Sequence, residues 1–161
     1  MNKFRVINIL DMLESVGEDE VKSILSEFLC QKNSGIENFV RNNAVDFAKK
    51  KISITYLVVD NTEMVRAIFT LTHKAIELTN EILSNTMRKR ILRYSKLDES
   101  TNSFNVSAFL IAQFGKNDAY STVENVSGNV LMDFTFEVLT AIQHDIGGGL
   151  VYLECEDKEK L

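Results

Sequence analysis

The chain has 161 residues, 45% hydrophobic and 25% charged, with a formal charge of −5, so one domain with a sizeable core is expected. The acidic balance argues against a general binder of nucleic acid or anionic membrane. No apolar run approaches the roughly 20 residues a membrane span needs, and the acids within MNKFRVINILDMLE argue against a signal peptide.

Taken in order, residues 4–9 (FRVINI) alternate as a first strand. Ser15 and Glu18 fit a capping box and predict a helix whose buried stripe is Val21, Ile24, Leu25, Phe28 and Leu29. Ser34 and Glu37 repeat the box, predicting a second helix with Ile36, Phe39, Val40, Ala44 and Phe47 inward and Lys49–Lys51 at its end. Residues 52–60 and 64–72 read as strands, joined as a hairpin by Asn61, Thr62 and Glu63. A helical pattern follows from Asn80 to Leu97, then a polar loop over residues 98–105.

The most informative stretch comes last. Residues 106–114 (VSAFLIAQF) are too continuously apolar for a one-sided strand and predict a central one. A polar loop over 115–127 leads to a helix over 128–144, with Leu131, Phe134, Val138 and Ile142 on one stripe. Gly147–Gly149 stop that helix, and residues 150–155 (LVYLEC) make a second apolar strand. Strand, crossover helix and strand form a βαβ unit. Its helix N-terminus, Ser127-Gly128-Asn129, offers free N–H groups and a positive dipole end to an anionic ligand. The tail EDKEKL reads as the first turn of a helix capped near Asp157. With no linker or repeat, residues 1–161 are expected to form a single domain.

The resulting order, β-α-α-β-β-α-β-α-β, is a mixed α/β fold. This order, the placing of Phe114-Gly115-Lys116-Asn117 at the end of a central strand, the glycine-opened helix and the segment GGGLVYLECEDKEKL together resemble the GNAT family of N-acetyltransferases. The resemblance implies acetyl-CoA as co-substrate. Its pantetheine arm would run along Phe114, Gly115, Lys116 and Asn117, and its pyrophosphate would sit at Val126, Ser127, Gly128 and Asn129. The family's Q/R-x-x-G-x-G/A loop is represented only by Gly128, with no Gln or Arg near Val123 and with Glu124 in the loop. Family members continue into a helix carrying a Tyr, often the general acid, and two more strands. This chain stops at Leu161, so a truncated form is expected.

Glu154 is a candidate general base, because carboxylates deprotonate amines in this chemistry; a solvated strand-end glutamate is the plainer account. His73 is a second candidate, set against a surface histidine closing the hairpin strand. His144 at a helix end answers the dipole. Cys155 reads as a small buried hydrophobe, and two histidines with two scattered cysteines make no disulfide scaffold or metal site. Reduced thiols and a cytoplasmic location are expected. Arg88, Lys89, Arg90, Arg93 and Lys96 run without an acid between Leu83 and Leu97, suited to an acidic substrate, a CoA phosphate or the backbone of a tRNA. A solvated helix face is the alternative.

An acetyl-CoA-dependent N-acetyltransferase acting on an unidentified amine is thus the first functional expectation. A GNAT-shaped module without turnover, acting through protein partners, is the second. An RNA-contacting regulator is the third. A homodimer would cover an open sheet edge.

Overall fold

The computed structural model describes residues 3–120 and 125–154; the expectations at Val123, Glu124, Cys155 and Asp157 lie outside them. Six strands, β1 (Phe4–Asn8), β2 (Ile54–Asp60), β3 (Val65–Thr79), β4 (Leu97–Asp98), β5 (Ser103–Lys116) and β6 (Leu150–Leu153), make one sheet. Its order is β1-β2-β3-β5-β4, with β6 also paired to β5. The first four pairings are antiparallel and β5–β6 is parallel, so the mixed sheet and its βαβ ending form as expected.

Helices α1 (Ile9–Val16), α2 (Glu18–Ser26), α3 (Ser34–Asn42) and α4 (Ala44–Lys49) contribute to one core. There Ile9, Val21, Leu25, Phe28, Val40 and Ala48 meet Leu57, Val59 and Ile68 of the sheet. Helix α6 (Gly128–Ile146) packs Leu131 and Leu139 against Val58, Phe69, Phe109 and Ile111 in a second core. Alternation along the pleat explains the division, since neighbouring residues such as Val58 and Val59 enter different cores. Beyond both, the far ends of β3 and β5 carry a small third core of Ile91, Phe104 and Val106, roofed by α5 (Asn85–Ile91).

Several local expectations are corrected. Ser15 does not open a helix: it lies inside α1, which Asn8 caps by accepting from Leu10 N–H at 2.9 Å. Gly17, at φ +86°, separates α1 from α2. The second box fails in the same way. Asn33 is the cap of α3, accepting from Gly35 and Ile36, while Glu37 accepts from Cys30 N–H instead. The helix expected from Ser34 to the Lys49–Lys51 run is two, broken at Asn43 and ending at Lys49. At α3 the Asn33 side chain, one residue before the serine, takes the helix N–H groups, whereas α2 starts at Gly17 with no side-chain cap.

The second hairpin strand runs on to Thr79, past its expected end at Thr72. The long helix over 80–97 shrinks to a 3₁₀ turn (Asn80–Ile82) and α5. Residues 103–105, expected in a loop, begin β5, and Leu97–Asp98 pair with them as β4. Cross-strand pairing from Thr79↔Ser103 onward overrides the weak helical period there. Strand β6 ends at Leu153, leaving Glu154 just outside it.

Candidate functional site

Strand β5 is flanked by β3 along its length, but β6 accompanies it only from Ala108 to Ile111. Pairing with β3 passes from Thr70↔Gln113 to Leu71↔Ile111, so Ala112 is an extra residue, a bulge. Beyond it, residues 112–116 have no strand on their outer side among the described residues. Two parallel strands that part at a bulge leave a fork, and main-chain groups on its inner edge can pair with an extended ligand.

A cleft of about 350 Å³ opens along this edge, lined by Phe114, Gly115 and Lys116 of β5, Leu131 of α6, Cys30 and Lys32 of the α2–α3 connection, and Ile36 of α3. Gly115 allows the close approach of the first turn of α3 and, less tightly, of that connection. A Cβ there would lie 3.0 Å from Ile36 Cγ2 and 3.8 Å from Cys30 Sγ. The connection is clamped by side chains rather than by regular structure. Phe28 O accepts from Arg41 Nε (2.7 Å), while Leu29 N–H donates to Asn117 Oδ1 (3.0 Å), Cys30 N–H to Glu37 (2.9 Å) and Gln31 N–H to Asp118 (2.9 Å). The cleft wall is therefore held by bonds from α3 and the end of β5.

Asn117, expected to touch a cofactor, is 2% exposed and fully engaged. Its Oδ1 also accepts from Ala119 N–H, its Nδ2 donates to Val65 O, and its backbone N–H donates to Arg66 O. It is a structural staple. Ser127 caps α6 by accepting from Val130 N–H at 3.2 Å, leaving Gly128 and Asn129 on the exposed first turn. Nothing lies within 4 Å of a Cβ built on Gly128, so space there is open. Val126 turns its side chain into the core at 1% exposure and does not crowd the turn.

Register places the exposed Glu154 one residue past Leu153, which pairs with Ile111, hence at the fork. His73 pairs with Phe109 in the middle of β3, not at a strand end, and lies on the other side of β5 from Glu154. It borders a small apolar hollow with Tyr56, Leu71 and Ile142. His144 is exposed near the end of α6, bonded to Asp145. Burial pushes the Cys30 thiol up, which keeps it protonated and unsuited to attack. Among the described residues no group of His, Cys, Asp and Glu could hold a metal, and no helix is long and apolar enough to cross a membrane. A larger groove of about 500 Å³ between β1 and α6 contains none of the candidate residues and meets no open main-chain edge of β5. We place the site at the smaller cleft for that reason.

Sequence reasoning missed Cys30, Lys32, Ile36 and Asp118, which come to the cleft from about eighty residues away in sequence or from the loop itself. No local pattern marks them.

The chain is similar to AtaT complexed with acetyl-methionyl-tRNAfMet, at 14% identity and a TM-score of 0.67, over 96% of this chain and 79% of that one. It is equally similar to a Tyr-to-Phe mutant of KacT, at 14% identity and TM-score 0.68, covering 98% and 81%. AtaTR bound with acetyl-CoA matches at 14% identity and 0.61, covering 98% and 78%. The fold is GNAT-like. No family model matches the chain, and no curated protein sequence matches it. In a GNAT-like fold the forked strands and the crossover helix are β5, β6 and α6; β5 and α6 line the cleft, and β6 pairs with β5 only up to Ile111.

Proposed function

We propose that this protein is an acetyl-CoA-dependent N-acetyltransferase. The observation that carries the reading is the unpaired edge of β5 over residues 112–116, opening on a cleft with ammonium groups on both sides. Gly115 and Phe114 would receive an amide-bearing arm along the edge. Lys32 and Lys116, neither of them ion-paired among the described residues, would offset phosphate charge, and the N–H groups of Gly128 and Asn129 would donate to it. This arrangement fits a glycine-poor turn: two lysines take up part of the anion binding that a glycine loop would otherwise supply. Bound there, acetyl-CoA would supply a thioester whose C–S bond breaks as an amine nitrogen bonds its carbonyl carbon, releasing the thiol.

The chain's own contribution is positioning and electrostatics. An outward N–H at the bulge would stabilise negative charge on a carbonyl oxygen at the fork. Glu154 would accept the amine proton, directly or through water. The first acceptor to test is an aminoacyl-tRNA α-amine, because AtaT shares the fold and was solved with an acetylated methionyl-tRNA. The glycine-poor start of α6 favours a second reading, a binding module of the same shape without turnover.

Titration with acetyl-CoA and with CoA, followed by calorimetry and thermal shift, tests the proposal. Stabilisation is expected, and Gly128→Glu should abolish it with the fold intact, because the site is open and the new carboxylate repels phosphate. Absence of binding up to millimolar acetyl-CoA would overturn the enzyme reading. Binding without release of free thiol in the presence of aminoacyl-tRNAs or small amines would leave the module reading.

A further inference from the structure

The thirteen residues 84–96 carry five cations and no acid, in a chain of net charge −5, so the remainder carries −10. Arg88 is the exception within this set. Its Nη1 and Nη2 donate to Asn85 and to Asn80 O, which ties α5 to the preceding turn. Lys89, Arg90, Arg93 and Lys96 are exposed, and among the described residues none makes an ion pair or side-chain hydrogen bond. Lys89 and Arg90 of α5 and Arg93 of the turn that continues it are closely spaced cations that repel one another, a modest cost with no return among the described residues.

Ile91 faces the small core, and Arg93 continues the turn by donating its N–H to Arg90 O at 3.1 Å. Helical geometry then puts Lys89, Arg90 and Arg93 on the side away from Ile91, with Met87 and Leu92 flanking them. Met87 is 49% and Leu92 53% exposed. The patch thus combines a basic stripe with aliphatic borders.

We propose that this surface docks an acidic amphipathic segment of a partner protein, carboxylates on the stripe and aliphatic side chains against Met87 and Leu92. Charge complementarity to the stripe and apolar complementarity to its borders point to the same occupant. RNA fits less well. The one nearby aromatic, Tyr94, has its ring against the backbone of Gly149, where a Cβ would fall 1.9 Å from it, and aliphatic borders give bases nothing to stack on. An anionic bilayer is disfavoured by the −10 carried by the remaining chain.

The test uses the full chain and a fluorescein-labelled peptide of two Leu-Glu-Glu-Leu-Leu-Glu-Glu heptads, read by anisotropy. Binding is expected, weakened about tenfold or more by Lys89→Glu with Arg93→Glu, and by a similar factor by Met87→Ser with Leu92→Ser. All four side chains are exposed, so circular dichroism and Tm should be unchanged. An oligoglutamate of equal charge should bind more weakly than the heptad peptide. No binding of the heptad peptide, or binding indifferent to either pair of substitutions, overturns the proposal. So does tighter binding of an oligouridine RNA or of phosphatidylserine vesicles that survives Met87→Ser with Leu92→Ser.

Discussion

Asn117 and the Asp60–Arg66 pair are the residues on which the site's geometry depends most. Asn117→Ala removes a buried amide that bonds three separate segments, leaving Leu29 N–H and Val65 O without partners. A loss of about 3 kcal/mol is expected in urea denaturation, with weaker acetyl-CoA binding because the cleft wall is freed. Burial raises the Asp60 carboxyl, but the Thr62 hydroxyl, the Arg66 guanidinium and the N–H groups of Thr62 and Met64 outweigh it and hold the carboxyl at about 2. Arg66 is itself 3% exposed and lies under the Tyr120 ring, 5.1 Å from its centroid. Because the folded value lies below the ordinary 3.8, this pair adds stability above pH 3.8 that is lost as pH falls toward 2. Asp60→Asn should cost about 3 kcal/mol at neutral pH, since it leaves a buried guanidinium without its counter-charge. The gap between variant and parent should close across that acid window, as measured by chemical denaturation at each pH.

At the scale of elements, two contacts decide how the cleft and the outer module are held. The first turn of α3 approaches β5 as closely as it does because residue 115 has no side chain, so Gly115→Val should press on Ile36 and fill the fork. Loss of the acetyl-CoA thermal shift is expected, with a stability cost of about 1–3 kcal/mol from overpacking. The loop before β6 meets Tyr94 in the same manner. Gly149→Ala should therefore destabilise by about 1–2 kcal/mol, and that cost should largely vanish in a Tyr94→Ala background. A double-mutant cycle that gave additive effects would rule out the contact as the cause.

Across the whole molecule, the sheet is stabilised unevenly. Two large cores sandwich β1, β2, the first half of β3 and the second half of β5, while the far end has only the small cluster of Ile91, Phe104 and Val106 with partly buried neighbours such as Ile76 and Leu78. Amide exchange should be fastest in residues 75–79 and 103–107 and slowest in β2 and the first half of β3. Acetyl-CoA at a hundredfold excess over Kd should stabilise the chain by about 2.7 kcal/mol, with added protection concentrated at residues 112–116. Docking at α5 should instead protect residues 84–96, so the two sites are separable by exchange mass spectrometry.

Periodicity in the sequence was sufficient for the mixed sheet and for the crossover helix, expected over residues 128–144 and found over 128–146, because apolar spacing needs only neighbouring residues. The family resemblance, not periodicity, singled out Gly115, and neither showed that its missing side chain makes room for Ile36. Cap choice between Ser34 and Asn33, or the fate of residues 76–79 and 103–105, lay beyond periodicity. Those outcomes rest on a side chain one residue away, or on pairing partners more than twenty residues apart. The cleft belongs wholly to the tertiary structure. Lys32 and Lys116 flank one opening only because Asn117, Asp118, Glu37 and Arg41 grip the backbone of residues 28–31, and hydrogen bonds across such separations leave no trace in local spacing.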